Sequence, residues 1–163
     1  DDVLEEIQAQ GEAYLTAHGF VNYEVSAWRK EKPSAHNLNY WQFGDYLAIG
    51  AGAHGKVTQP DGVYRFQKTR LPKDYLAKVP AENLQFKRIE ADDMPFEFMM
   101  NALRLNQGVD AKLYAERTGL SLAGLDELLS SLRARKLMVD DQTRISCTEQ
   151  GHVFLNSVLE EFL

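Results

Sequence analysis

The chain contains 163 residues, of which 44% are hydrophobic and 26% are charged, a composition typical of a soluble globular protein. Its formal net charge of −6 argues against a general binder of nucleic-acid backbone, since such proteins concentrate Lys and Arg. The single cysteine, Cys147, excludes an internal disulfide and any thiolate cluster made by this chain alone. No apolar run approaches the ~20 residues that span a bilayer. The acidic first residues differ from a secretory signal, and we therefore expect a cytoplasmic location.

The first 50 residues predict a helix, a strand, a loop and a second strand. Residues 2–18 place apolar side chains on one helical face, and Gly19 follows as a helix-ending residue. Residues 20–28 alternate in the manner of a strand. Residues 45–49 are short, aromatic and aliphatic and end in glycines, which predicts a buried strand. Only about two such units are present, so we expect the chain to be a fragment of a larger α/β domain with a parallel sheet.

Beyond residue 56 the pattern changes. Residues 56–66 predict two strands joined by a Gln-Pro-Asp-Gly turn. A short helix over 71–79 and an extended segment over 83–89 are expected to follow. We place a domain boundary at residue 60, within a gradual transition, and divide the chain into residues 1–60 and 61–163.

From residue 92 onward the periodicity is helical. Asp92 or Asp93 is expected to cap the first helix, Asp110 and Ser121 open two more, and Thr148 caps the last. Residues 137–147 predict a β-hairpin, and this order of elements is typical of a winged helix. The side chains expected to face the core are Phe96, Met99, Met100 and Leu103, then Leu122, Leu125, Leu128, Leu129 and Leu132, then Val153, Phe154, Val158, Leu159 and Phe162.

The charge of this second half argues against DNA binding. Residues 90–163 contain seven Lys or Arg and thirteen Asp or Glu, a local net charge of −6. The helix that would enter a DNA groove carries Asp126 and Glu127. Both would repel phosphate, so we expect no nucleic-acid partner and favour a docking or lid module.

A glycine-rich segment follows the predicted buried strand. Gly50, Gly52 and Gly55 match the dinucleotide-binding fingerprint, and Lys56 brings the segment within one residue of a phosphate-binding loop. Both motifs need a helix whose first amides meet the phosphate. The residues that follow predict a hairpin, and Val57 stands where Ser or Thr would hold magnesium. We therefore favour a tight turn with glycines at positive φ, or a loop that approaches a ligand bound elsewhere in the parent domain.

The segment His36-Asn37-Leu38-Asn39-Tyr40-Trp41 is the rarer motif. On a helical turn His36 and Tyr40 share one face, and Asn37 and Trp41 share another. A histidine nitrogen can ligate iron, and aromatic rings offer flat apolar surface to a planar ligand. In the alternative interpretation His36 and Asn37 cap a turn while the two aromatic residues fill a core. The residues alone favour this structural alternative.

These two segments, together with Tyr23-Glu24-Val25-Ser26, resemble the oxygen-independent coproporphyrinogen III oxidase-like radical SAM proteins, in the branch regarded as haem chaperones. The resemblance implies an α+β chain. Its first part would be the end of a radical SAM partial (β/α) barrel, and the remainder a helical, winged-helix-like domain. It also implies haem or tetrapyrrole binding, with a haem-accepting protein or membrane complex as partner. The [4Fe–4S] cluster and S-adenosylmethionine would be bound mainly upstream, because the family's three-cysteine motif is missing here.

The resemblance also implies site residues. The motif associated with haem handling falls on His36, Asn37, Tyr40 and Trp41, with His36 as the candidate ligand of haem iron and the two aromatic rings beside the porphyrin. The residues expected at the ligand-facing rim of the barrel are Gly50, Gly52 and His54.

Three hypotheses follow from the sequence. The first is a haem-chaperone fragment, not catalytic alone. The second is part of a true coproporphyrinogen III oxidase, and the third is a winged-helix docking module. Exposed sheet edges in a fragment also predict aggregation or a homodimer.

Overall fold

A computed structural model describes residues 2–79, 82 and 84–163, and they form a mixed α+β structure. The helices are α1 (Asp2–Ala17), α2 (Ala35–Trp41), α3 (Pro72–Ala77), α4 (Met94–Ala102), α5 (Lys112–Thr118), α6 (Asp126–Ala134), α7 (Glu149–Val153) and α8 (Leu155–Glu160), with a 3₁₀ turn over Leu122–Leu125. The strands are β1 (Val21–Glu24), β2 (Ala27–Arg29), β3 (His54–Gln59), β4 (Gly62–Lys68), β5 (Leu84–Arg88), β6 (Val109–Asp110) and β7 (Arg144–Ile145). The α+β class is confirmed, while the barrel and winged-helix assignments stay predictions.

Helix α1 agrees with the predicted bounds. Gly19 follows it with a φ of 78°, a conformation in which glycine avoids the steric cost of a side chain. The apolar face of α1 remains on the surface of the described chain, where Val3 is 70%, Leu4 71% and Ile7 61% exposed.

The single strand predicted over residues 20–28 is wrong. The chain instead folds back between β1 and β2, which pair antiparallel with Val21 opposite Arg29 and Glu24 opposite Ala27. The turn is fixed by the Glu24 carboxylate, which accepts hydrogen bonds from the backbone N–H and the hydroxyl of Ser26 at 3.0 and 2.9 Å. A local side-chain bond of this kind competes with extended pairing.

The buried strand predicted over residues 45–49 is also wrong. Only Tyr46 pairs there, in an isolated antiparallel bridge with Lys56, and Leu47 and Ile49 are 79% and 91% exposed. Gly50 and Gly52 have φ values of 100° and 71°, and they reverse the chain direction before β3. As a result β3 pairs with this run only at Tyr46, among the described residues. The apolar run therefore lacks a partner strand.

Strands β3, β4 and β5 form an antiparallel sheet in that order. The predicted turn is confirmed, since Gln59 is opposite Gly62 across the β3–β4 hairpin. Residue 60 lies in this turn, and the two-domain division stays a prediction. The short helix expected over 71–79 is confirmed by α3, and the extended segment by β5; Asn83 of that prediction lies outside the described residues.

The helical half contains most of the core, in which Phe98, Met99, Leu103, Leu132 and Val158 are fully buried. The three predicted helix starts are confirmed in part. Asp110 accepts from the Lys112 backbone N–H, although Ala111 occupies the cap position of α5. Ser121 caps the 3₁₀ turn before α6, and Thr148 caps α7, the first part of the predicted last helix. Asp93 occupies the cap position of α4 without a side-chain hydrogen bond to the helix.

Three predictions about this half need correction. Phe98 is the deeply buried aromatic residue of α4, whereas Met100 is 36% exposed. The last helix breaks at Phe154, which leaves Val153 and Phe154 77% and 52% exposed. The arms of the expected 137–147 hairpin meet only around the Met138–Cys147 bridge, because β7 pairs with β6 instead.

Among the helices of the described residues, none combines the length and apolarity that crossing a membrane requires.

Candidate functional site

Helix α2 presents the four predicted motif residues on two faces, because successive helical residues rotate by about 100°. Ser34 begins the helix, and its hydroxyl accepts a hydrogen bond from the Asn37 backbone N–H at 3.3 Å. The alternative in which His36 and Asn37 form the cap is therefore wrong. The helix ends where Phe43 adopts a φ of 55° and Gly44 fits closely against Asn39.

The first face carries His36 and Tyr40, as the spacing predicted. Their rings meet edge to face with centroids 4.6 Å apart, and Tyr40 in turn contacts Tyr46 at 4.2 Å. His36 is exposed, and within the described part of the chain neither ring nitrogen has a hydrogen-bond partner. The arrangement holds an imidazole against an aromatic support and leaves its nitrogens available to a ligand.

The second face carries Asn37 and Trp41 and attaches α2 to the rest of the molecule. The Asn37 side-chain amide donates to the Tyr23 hydroxyl at 3.0 Å. The Trp41 ring packs against the core and lies beneath the Arg104 guanidinium at 4.4 Å. Its indole nitrogen is buried without an acceptor among the described residues. This face therefore positions the helix, which agrees in part with the structural alternative.

Arg104 links this face to a buried carboxylate. Its guanidinium donates to Glu24, which is 1% exposed, at 3.2 and 3.3 Å. The backbone of the two segments is also paired: the Val25 N–H donates to the Arg104 carbonyl, and Glu24 forms an isolated antiparallel β-bridge with Leu105. A desolvated carboxylate needs such donors, so this ion pair connects the β1–β2 hairpin, α2 and the end of α4. Sequence reasoning missed it, because Asn22, Glu24 and Ser26 form the polar face of an alternating pattern, where a Glu gives no sign of burial.

The rim residues lie on a different segment. Gly50 and Gly52 form the turn before β3, and the Gly52 backbone N–H donates to Thr69 at 2.9 Å. His54 is exposed at the start of β3, and in the described residues no ring contact joins it to His36. Tyr46 is the link between the segments, since it touches Tyr40 and pairs with β3. The structure thus groups the α2 motif and leaves the glycines and His54 apart from it.

Lys56 is the buried cation of this segment. It is 1% exposed, lies 4.3 Å from the Phe43 ring centroid and pairs with Asp45 at 2.9 Å. Burial lowers the pKa of Lys56, and the bond to Asp45 offsets part of this effect. Burial raises the pKa of Asp45, but hydrogen bonds from Lys56 and Thr58 outweigh burial and lower it overall. The ion pair fixes the end of the glycine-rich segment. Because the Lys56 ammonium is buried and already paired with Asp45, it is not available to a phosphate.

The residues present do not fit an iron–sulfur cluster. Cys147 is buried, and burial raises the pKa of its thiol to about 12, so it is not a ready thiolate donor. No group of three or more His, Cys, Asp or Glu side chains among the described residues is arranged to hold a metal ion.

Comparisons with known proteins place this chain in a family. The model of the HemN C-terminal domain matches residues 89–154. The chain is 43% identical over 166 residues to "Heme chaperone HemW" of Haemophilus influenzae and, equally, of Escherichia coli, covering all of this chain and 43% of each relative. The Bacillus subtilis protein of the same name is 31% identical over 91% of the chain and 40% of the relative. No solved structure matches.

The chain therefore spans less than half the length of these curated relatives. Their names agree with the resemblance that the α2 motif and the glycine-rich segment indicate. The chain belongs to the HemN-like haem chaperone family.

Proposed function

We propose that this chain is the C-terminal part of a haem chaperone and that it holds haem as cargo through His36. The observation that carries the proposal is the whole-chain similarity to proteins named haem chaperone HemW. The same proposal assigns residues 1–60 to the end of a radical SAM barrel and residues 61–163 to a winged-helix-like domain.

The geometry of α2 supports His36 as the ligand of haem iron. An axial histidine must offer a free nitrogen at the surface, and a porphyrin needs a flat apolar neighbour. His36 is exposed, its ring nitrogens have no hydrogen-bond partner among the residues that the structure describes, and the Tyr40 ring stands at 82° to the imidazole plane. A haem held by His36 would have the Tyr40 ring as an aromatic neighbour, since the two side chains are in contact. Trp41 contributes its remaining exposed surface and, with Asn37, keeps α2 in place.

Gly50, Gly52 and His54 take a secondary part in this proposal. They would approach the tetrapyrrole or S-adenosylmethionine from the turn before β3 and the start of that strand, since Tyr46 contacts Tyr40 and pairs with Lys56 of β3. The [4Fe–4S] cluster and S-adenosylmethionine belong to the longer relatives, and no radical step is assigned to the residues of this chain. The chain by itself is non-catalytic in this account.

The remaining parts of the proposal concern location and partners. We assign the protein to the cytoplasm and expect it to pass haem to an acceptor protein or membrane complex. The edge strands β3 and β5 are the candidate surfaces for a homodimer. Size-exclusion chromatography with light scattering measures this directly, and a monomer at every concentration would contradict the dimer.

A haem titration followed at the Soret band tests the proposal. Wild type should give a saturable shift that His36→Ala loses. His18→Ala is the matched control, because His18 also lies exposed four residues from a tyrosine, with ring centroids 4.1 Å apart. It should bind haem as wild type does. Equal binding by wild type and His36→Ala would contradict the assignment of His36.

A further inference from the structure

A cleft of about 450 Å³ lies on the other side of α2, next to the β1–β2 hairpin and the chain around Leu105 and Gly108. This volume is within the range of about 300–1,000 Å³ usual for small-molecule sites. Helix α2 contributes Leu38 and Gln42 to it. Leu38 and Gln42 lie about 120–160° around the helix axis from His36 and Tyr40, so the cleft is separate from the proposed haem-iron site.

The charge of this cleft differs from that of the chain. Arg29 and Arg144 both line it, and its lining contains no Asp or Glu, although the chain has 24 acidic and 18 basic residues. An adjoining cleft of about 320 Å³ shares Arg144 but also contains Asp110 and Glu116. Of these two clefts, only the larger therefore has basic side chains without acidic ones in its lining.

Backbone carbonyls hold both guanidinium groups in place. Arg29 donates through Nη1 to the Glu31 carbonyl at 2.8 Å. Arg144 donates through Nε to the Gln107 carbonyl at 3.0 Å and through Nη2 to that of Gly108 at 3.2 Å. In the described part of the chain neither arginine forms an ion pair with a carboxylate. Each guanidinium has five N–H donors, so donors remain for a ligand.

The rest of the cleft combines apolar and amide side chains. Its apolar residues are Val21, Tyr23, Pro33, Leu38 and Leu105, and its amides are Asn22, Gln42 and Gln107. We propose that this cleft binds an amphipathic carboxylate, whose apolar body contacts the apolar side chains while its carboxylate bonds to Arg29 and Arg144. Guanidinium groups match carboxylate oxygens in geometry, and a charge already oriented loses little freedom on binding. The carboxylate has two possible sources, the propionates of a porphyrin or a smaller free aromatic acid.

The test is a fluorescence titration of the 163-residue chain with metal-free protoporphyrin IX, with its dimethyl ester and with 2-naphthoate. Without iron, coordination by His36 does not contribute to the signal. Arg29→Gln should weaken binding of the carboxylate by about tenfold or more, the effect of losing a charged hydrogen bond. Arg144→Gln should act in the same direction. Arg117→Gln, on the exposed side of α5, is the control and should leave affinity unchanged.

The outcomes separate the two sources. Arginine-dependent binding of protoporphyrin IX, with loss of binding for the ester, supports a tetrapyrrole occupant. Arginine-dependent binding of 2-naphthoate alone supports a smaller acid. The proposal is overturned if neither acid binds, or if Arg29→Gln and Arg144→Gln bind as Arg117→Gln does.

Two further controls keep the result interpretable. Arg29→Gln loses one backbone hydrogen bond and Arg144→Gln loses more, so Arg29→Gln is the primary variant and circular dichroism checks both folds. His36→Ala should retain its affinity for protoporphyrin IX, and loss there would overturn the separation of the two sites. If the arginine variants bind both acids as wild type does while haem binding still depends on His36, the cleft proposal is wrong and the proposed function is unaffected. If carboxylate binding depends on the arginines while haem binding does not depend on His36, the cleft proposal is supported and the assignment of His36 is wrong.

Discussion

Replacing Arg104 with Ala tests how α2 is held in place. The change leaves the Glu24 carboxylate, 1% exposed, with donors from Ser26 alone, and removes the cation above Trp41. Removing one partner of a buried ion pair costs about 3–5 kcal/mol. Because the Arg104 side chain is 29% exposed and Ser26 still donates twice, we expect a loss of about 2–3 kcal/mol in the free energy of unfolding.

Urea unfolding followed by tryptophan fluorescence and circular dichroism measures this loss. Arg135→Ala is the matched control, since Arg135 pairs with Glu161 at the surface with side chains 49% and 31% exposed. It should cost about 0.2–1 kcal/mol. Combining Arg104→Ala with Glu24→Gln removes the stranded charge, so the double variant should lose less than the sum of its single changes. If Arg104→Ala lowers the free energy of unfolding no more than Arg135→Ala does, the Arg104–Glu24 ion pair does not hold α2 in place.

Three further predictions concern stability and reactivity. Asp45→Asn should lower the free energy of unfolding at pH 7. Because the pKa of Asp45 is lowered in the folded state, the carboxylate stabilises the fold above pH ~4, and this contribution is lost as the pH falls further. The difference in unfolding free energy between wild type and Asp45→Asn should therefore shrink below that pH in urea titrations. Cys147, with a pKa raised to about 12, should resist Ellman's reagent at pH 8 until urea is added, and rapid reaction of the native chain would contradict its burial. Gly151→Ala should cost more than about 2 kcal/mol in urea unfolding because a Cβ would overlap a facing backbone carbonyl, whereas Gly124→Ala, with nothing within 4 Å, should be near neutral or stabilising; equal costs would refute this.

Local patterns predicted the helices and caps well, because capping and periodicity depend on neighbours in sequence. Ser121 and Thr148 cap as expected, and Leu129 and Leu132 are buried. The strands were harder, since strand pairing depends on distant residues. The apolar run ending at Ile49 satisfies the local criteria of a buried strand, yet among the described residues only its Tyr46 pairs, with Lys56 of β3, and Leu47 and Ile49 are exposed.

The candidate site divides in the same way. The shared face of His36 and Tyr40 follows from helical spacing alone, so the sequence was sufficient to predict it. Arg104 contacts Glu24 across 80 positions, and Arg29 and Arg144 share a cleft from opposite ends of the chain. Such contacts depend on the tertiary fold and have no signature in a single sequence.

The central claim is that a nitrogen of His36 ligates haem iron. Electron paramagnetic resonance and absorption spectra of the ferric haem complex test it most directly, in wild type and in His36→Ala with and without added imidazole. We expect a histidine-ligated spectrum in wild type, its loss in His36→Ala, and its return when imidazole supplies the missing ligand. An unchanged histidine-ligated spectrum in His36→Ala without imidazole would contradict the claim and assign the iron to another residue.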